Sequence, residues 1–233
     1  MRNGKSIGVV IPALNEEQAI ARVIGDIPSW VDDIVVADNG SQDRTAAAAR
    51  AAGARVVSEN ERGYGAACQA GIAALRTPDI VVFLDGDYSD RPQEMATLID
   101  PIVSGHADFV VGSRVRGQLE RGALTPQQRF GNWLACGLIR RLCGTTYSDL
   151  GPFRAIHGEA LRSLNVKDRA FGWTVEMQLK AAETGLRYLE VPVSYRARIG
   201  SSKISGTLRG SLLAGVTILS IIARTAWRSY KSA

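Results

Sequence analysis

The sequence predicts an α/β fold: a mostly parallel sheet flanked by helices in a doubly wound, Rossmann-like arrangement. Three observations predict it. Short apolar runs alternate with helix-forming segments about every 25 residues. The runs are continuously apolar, as expected of strands buried on both faces. Polar clusters follow the runs directly, where open α/β sheets bind ligands.

Taken in order, Ile7–Ile11 is an apolar strand, and Asn15 with Gln18 three residues on reads as the capped start of a helix. Ile34–Ala37 is a second strand, and Thr45–Ala52 a helix closed by Gly53. Val56–Val57 marks a third strand, Ala66–Leu75 a helix, Ile80–Leu84 a fourth strand, Met95–Val103 a helix and Phe109–Val111 a strand. The second half is less regular. Pro126–Leu142 and Thr174–Thr184 read as helices, Tyr188–Val193 as a strand region broken by Pro192, and Gly206–Tyr230 as a last helix. Leu208, Leu212, Val216, Leu219 and Ile222 form its apolar stripe, with Arg209, Arg224 and Arg228 off it. Its apolar stretch from Ser211 to Ala223 is shorter than the roughly 20 residues that span a bilayer.

At 233 residues, 45% hydrophobic and 22% charged, the chain has an ordinary globular composition and length for one substantial core. Cys68, Cys136 and Cys143 are odd in number and form no CxxC pair, so a disulfide scaffold or zinc site is not expected and a reducing cytosolic setting is. The start, MRNGKSIGVVIP, runs straight into a strand, so no signal peptide is expected. The net charge of +5 is unevenly placed. After Glu190 there is no acidic residue but there are seven basic ones, which leaves 21 basic against 23 acidic groups in residues 1–190. A mildly acidic body with a basic tail points to an anionic partner: phosphate, nucleic acid or a membrane surface. Few aromatics interleave with those basic residues, so nucleic acid is the least favoured.

The stretch FLDGDYSD places Asp85 and Asp87 side by side at the end of a buried strand. A solvated turn accommodates such residues. Two crowded carboxylates at a strand end also suit Mg²⁺ or Mn²⁺, which is commonly held by one or two carboxylates plus substrate phosphate oxygens. Gly86 leaves room for a ligand, and Asp90 reads as a helix cap before Pro92. Asp38 and Asn39 end the second strand in a segment that reads equally as a turn and helix cap or as contacts to a ribose or base. Arg196, Arg198, Ser202 and Lys203 gather positive charge and hydroxyls within eight residues, either as a basic surface loop or as a phosphate site. Glu176 is a candidate base or a capping glutamate. His106 and His157 have no partner pattern, and the cysteines read as core thiols.

In order, VVIPALNEEQAI, VADNGSQDRTAAAA, RGYGAACQAGIAAL, VVFLDGDYSD and VVGSR resemble the nucleotide-sugar-binding half of family 2 glycosyltransferases, inverting enzymes of the GT-A fold. The sequence is most similar to dolichyl- or polyprenyl-phosphate mannosyl- and glucosyltransferases. That resemblance continues through SDLGPFRAIHGEAL, WTVEMQLKAAETGLRYLEVPVSY and RIGSSKISG, about residues 6–210. It implies a nucleotide-sugar site of Pro12, Leu14, Glu16, Asp38, Asn39, Asp85, Gly86, Asp87 and Arg114. Asn39 stands where the family commonly has a second aspartate. Asp85 and Asp87 match the metal-binding DxD for Mn²⁺ or Mg²⁺, and Ser89 takes the place of a glutamine ligand of some relatives. Arg114 matches a phosphate-contacting position, and Arg129, Arg196, Arg198, Ser202 and Lys203 correspond to acceptor or phosphate contacts. Asp87, Glu176, Arg114 and Lys203 are the implied catalytic set.

The resemblance implies a catalytic domain over 1–205, with a nucleotide-sugar half to about 115 and an acceptor half after it. Residues 206–233 are then a basic amphipathic helix making a membrane-surface or homodimer contact. The implied reaction moves a hexose from a GDP- or UDP-linked sugar to a lipid phosphate, in the cytoplasm or peripherally on the membrane face. A glycosyltransferase acting on a soluble or protein-linked hydroxyl, a nucleotidyltransferase and a non-catalytic nucleotide-sugar binder are the rival readings.

Overall fold

The computed structural model describes residues 1–200; Ser202, Lys203 and the helix expected over 206–230 lie outside the described residues. Strands β1 (Ile7–Ala13), β2 (Asp33–Asp38), β3 (Arg55–Ser58), β4 (Ile80–Phe83), β5 (Phe109–Ser113), β6 (Arg154–His157) and β7 (Tyr188–Pro192) form one sheet in the order β3-β2-β1-β4-β6-β5-β7. The pairs β1–β2, β1–β4, β2–β3 and β5–β7 are parallel. Only β6 runs against its neighbours β4 and β5, so the carboxyl ends of the other strands share one edge. The sequence does not announce β6. It is four residues long and follows a Gly-Pro pair, and its place between β4 and β5 is set by long-range pairing such as Val82 with Ala155.

Helices α1 (Ile20–Gly25), α2 (Thr45–Ala51), α3 (Tyr64–Ala74), α4 (Met95–Val103), α5 (Pro126–Cys143), α6 (Gly158–Leu164) and α7 (Trp173–Glu183) cover the sheet. The period of two along each strand decides which helix meets which side chain. Val9, Val82 and Val110 pack with Val23 and Ile24 of α1 and with Leu98 and Ile99 of α4. Val10, Val81, Phe83 and Phe109 face the other way, toward Cys68 of α3, Leu161 of α6 and Trp173 and Met177 of α7. Both faces are therefore dry, which is why the strands lack polar alternation. A fully buried valine, leucine or phenylalanine here contributes about 1.5–3 kcal/mol.

Two expected helix caps fall elsewhere. Asn15 sits in the left-handed region (φ 54°), and α1 begins only at Ile20. The Asn15 backbone and side chain are instead spent on the neighbouring loop: its N–H donates to Ser41 Oγ (2.9 Å) and its Oδ1 accepts from Gln42 N–H (2.7 Å). Asp90 does not cap the turn at Pro92–Glu94. It is buried, and its Oδ2 accepts from the backbone N–H of Asp85 (3.1 Å). By contrast Gly53, at φ 95°, closes α2 as expected.

Candidate active site

A cleft of about 460 Å³ opens at the shared strand edge. Pro12, Leu14 and Glu16 reach it from the end of β1, Asn39 from β2, Arg62–Tyr64 from the start of α3, and Asp85–Asp87 from β4. The strand ends that the fold places on one edge thus meet in one pocket, as open α/β sheets dictate. Ala170 and Phe171, from the loop before α7, and Arg198, from the chain after β7, close its other side.

Glycines set the fit of that wall. A Cβ on Gly63 would stand 2.0 Å from the Arg169 carbonyl oxygen, and one on Gly65 2.1 Å from that of Asp168. Only bare backbone lets the 168–171 loop press against the start of α3, where Gly65 and Ala66 donate to the carbonyls of Ala170 and Arg169. Asn39 fastens the facing loop. Its amide donates to the carbonyls of Glu59 (3.1 Å) and Glu61 (2.7 Å), and its Oδ1 accepts from Gly63 N–H (2.8 Å). Asp38 is turned to the Ser41 N–H (3.1 Å) and does not line the cleft.

The acidic pair lies at the cleft floor. Asp87 is buried, and its Oδ1 accepts from both the backbone N–H (2.9 Å) and the hydroxyl (2.5 Å) of Ser89. Ser89 is fully buried and gives its proton to Asp87, so it fixes the carboxylate and does not face the cleft as a third ligand. The second oxygen, Asp87 Oδ2, meets the Arg198 guanidinium at 2.9 Å. Arg198 also pairs with Glu16 (3.3 Å), and its Nε has no partner among the described residues. Asp85 accepts from the Tyr64 hydroxyl at 3.2 Å. Burial, and then the charge of Asp87, push the Asp85 carboxyl up to about 7. Burial, and then Asp85, likewise hold Asp90 well above the usual carboxylate range, and Asp90 Oδ1 has no hydrogen-bond partner among the described residues. Gly86 lines the cleft, although a Cβ there would point to the Pro12 carbonyl (3.4 Å) and Ala13 in ordinary contact.

Other expected site residues stand outside the cleft. The Arg114 guanidinium is nearly buried and doubly bonded to Asp149 (2.8 and 2.6 Å), with Tyr195 stacked 5.0 Å away. Glu176 Oε2 accepts from the backbone N–H groups of Lys167 (3.0 Å) and Asp168 (2.6 Å), and Oε1 pairs with Lys180 (2.8 Å). Glu176 therefore anchors the loop that carries Ala170 and Phe171. Arg196 lies 3.2 Å over the Tyr88 ring and donates to the carbonyls of Tyr88 and Asp90, which makes it a brace under the DGD loop. Arg129 is exposed on α5, outside the cleft. Tyr64 lies in the RGYGAACQAGIAAL stretch that the sequence places at the sheet edge, whereas Phe171 lines the cleft with no signal of its own in the sequence.

The family model described as Glycosyl transferase family 2 matches residues 8–164, and the chain belongs to that family. It is 37% identical over 222 residues to an uncharacterized glycosyltransferase of Mycobacterium tuberculosis, covering 94% of this chain and 99% of that one. It is 34% identical over 212 residues to a dolichyl-phosphate hexose transferase of Haloferax volcanii, covering 89% and 90%. Among solved structures, glucosyl-3-phosphoglycerate synthase from Mycobacterium tuberculosis, in complex with Mn²⁺, UDP-glucose and phosphoglyceric acid, aligns with a TM-score of 0.76 at 29% identity, over 94% of this chain and 80% of that one.

Proposed function

We propose that the protein is an inverting, divalent-metal-dependent hexosyltransferase that moves a hexose from a nucleoside diphosphate sugar to a polyprenyl-phosphate acceptor. The observation that carries this reading is Asp87, buried in the cleft with one oxygen locked by Ser89 and the other facing a cation, Arg198.

The residues present fit a divalent ion. Asp85 and Asp87 offer hard oxygens, and the crowding that pushes the Asp85 carboxyl up is relieved by a nearby positive charge. Mn²⁺ or Mg²⁺ held by Asp85 and Asp87 would supply Lewis-acid stabilisation of the diphosphate leaving group. The Arg198 Nε, which has no partner among the described residues, would add a donor for a phosphate oxygen. Pro12, Leu14 and the Asn39-stapled loop shape the nucleotide side of the cleft, and Phe171 with Tyr64 shields the reacting side from water.

In the reaction an acceptor oxygen attacks the anomeric carbon. A new C–O bond forms as the bond to the β-phosphate breaks, and the nucleoside diphosphate leaves with the electron pair. A phosphate monoester has a second pKa of about 6 and is largely ionised at neutral pH, so it attacks without a protein base. The commitment of Glu176 to loop anchoring agrees with that chemistry. The dolichyl-phosphate hexose transferase relative supports a lipid acceptor, as does the basic segment after Glu190. The likeness to glucosyl-3-phosphoglycerate synthase favours a second reading, a small phosphorylated acid as acceptor.

Thermal stabilisation by GDP- and UDP-linked sugars with Mn²⁺, followed by transfer assays, tests both. Transfer to polyprenyl phosphate and not to phosphoglycerate is the expected result. The reverse preference would overturn the lipid reading.

A further inference from the structure

Helix α5 carries a surface that the catalytic reading does not use. Phe130 and Trp133 are 62% and 69% exposed, with ring centroids 5.9 Å apart, one turn from each other. The opposite side of α5 is firmly packed: Ala135, Cys136 and Ile139 cluster with Tyr147, Val175 and Leu179. Asn132 staples the helix to the chain beyond it, donating to the Ser148 carbonyl (3.0 Å) and accepting from Leu150 N–H (2.9 Å). The inner face therefore dictates that the aromatic pair points outward.

The charge on this helix is one-sided. Its sequence, PQQRFGNWLACGLIRRLC, has no acidic residue. A solvent-facing helix usually mixes both signs. At 100° per residue, Phe130, Trp133 and Gly137 form one stripe, and Arg140 and Arg141, both exposed, flank it on either side. Aromatic rings bordered by guanidinium groups, without a carboxylate among them, match the headgroup boundary of an anionic lipid surface. A second copy of this chain would bring those arginines against a helix that offers them no counter-charge. Residues 114–125 lead into α5 from the carboxyl end of β5, which lies on the sheet edge that carries the cleft.

We propose that the Phe130–Trp133 face of α5 docks the protein on an anionic membrane surface, with the rings at the headgroup–acyl boundary and Arg140 and Arg141 on lipid phosphates. This deepens the polyprenyl-phosphate reading, because such an acceptor resides in a membrane and α5 would set the cleft edge near it.

The test is co-sedimentation of the full chain with phosphatidylcholine vesicles, with and without phosphatidylglycerol, at low salt and without sugar nucleotide or acceptor. F130S/W133S is expected to lower partition onto the anionic vesicles by roughly tenfold. R140A/R141A is expected to lower it by roughly thirtyfold, the loss expected of two basic residues near the surface. Both variants should keep the parent's Tm. Parent-like partition of both variants would overturn the proposal. So would a parent dimer that F130S/W133S converts to monomer, or a Trp133 already shielded from acrylamide without vesicles, which would mean that residues 201–233 cover it. Transfer to detergent-dispersed polyprenyl phosphate reads the acceptor separately: failure there with normal vesicle binding overturns only the acceptor reading.

Discussion

The Arg198 guanidinium lies 2.9 Å from Asp87 Oδ2, so a residue beyond the last strand closes on the carboxylate that ends the fourth. The same guanidinium holds Glu16 at 3.3 Å, which ties three sequence-distant segments across the cleft. Asp87→Asn keeps the shape but removes the charge that faces Arg198. It is expected to abolish Mn²⁺-dependent nucleotide-sugar binding by calorimetry and to lower transfer by about 10²–10³-fold. Arg198→Ala should leave Mn²⁺ binding in place without nucleotide while weakening nucleotide-sugar binding by about tenfold or more. Loss of Mn²⁺ binding in that variant would make Arg198 a scaffold for the acidic pair and not a phosphate ligand.

Glu176 is a loop anchor, and its substitution should behave as one. Glu176→Gln loses the charge that receives two backbone N–H groups and Lys180, at a cost of about 1–2 kcal/mol. For a chain of this size that is a Tm drop of about 2–8 °C. With an ionised phosphate as the attacking group, the pH profile of kcat should keep its shape. A profile that loses its acidic limb would restore the general-base role.

The Arg114–Asp149 pair is a buried ion pair at the end of β5. Removing one partner of such a pair typically costs about 3–5 kcal/mol, because the other charge is left desolvated. Asp149→Ala is expected to show that loss in urea unfolding, and Asp149→Asn a smaller one. An unchanged midpoint for Asp149→Ala would mean that water reaches Arg114.

Burial of Asp33 works against its charge, but the hydrogen bonds from Arg55 to both carboxylate oxygens (2.9 and 2.7 Å) outweigh it and hold the group below the usual carboxylate range. A lowered folded-state pKa contributes stability that is present above the unfolded value of about 3.9 and is lost as pH falls through the folded one. Asp33→Asn should therefore melt below the parent at neutral pH, with the gap narrowing once the pH drops below about 4. A gap that stays constant across that range would assign the effect to packing.

The strand–helix alternation, the two-sided burial of the strands and the gathering of polar clusters at one edge were all legible in the residues, because each rests on local periodicity and on the geometry of parallel sheets. So was the acidic pair: Asp85 and Asp87 sit directly after an apolar strand, and no long-range contact is needed to place them at the cleft. Tertiary packing decided the partners. Glu176 read as a candidate base or a capping glutamate, and the loop at 167–168 places two N–H groups on one of its oxygens; Arg114 matched a phosphate-contacting position, and its guanidinium is paired with Asp149. Asp90 read as a cap and became a buried neighbour of the acidic pair, and β6 slipped between β4 and β5 against the parallel grain. A charged side chain advertises its chemistry in the sequence, but whether that charge meets a ligand or another part of the chain depends on residues tens to hundreds of positions away, which only the folded chain brings within hydrogen-bond reach.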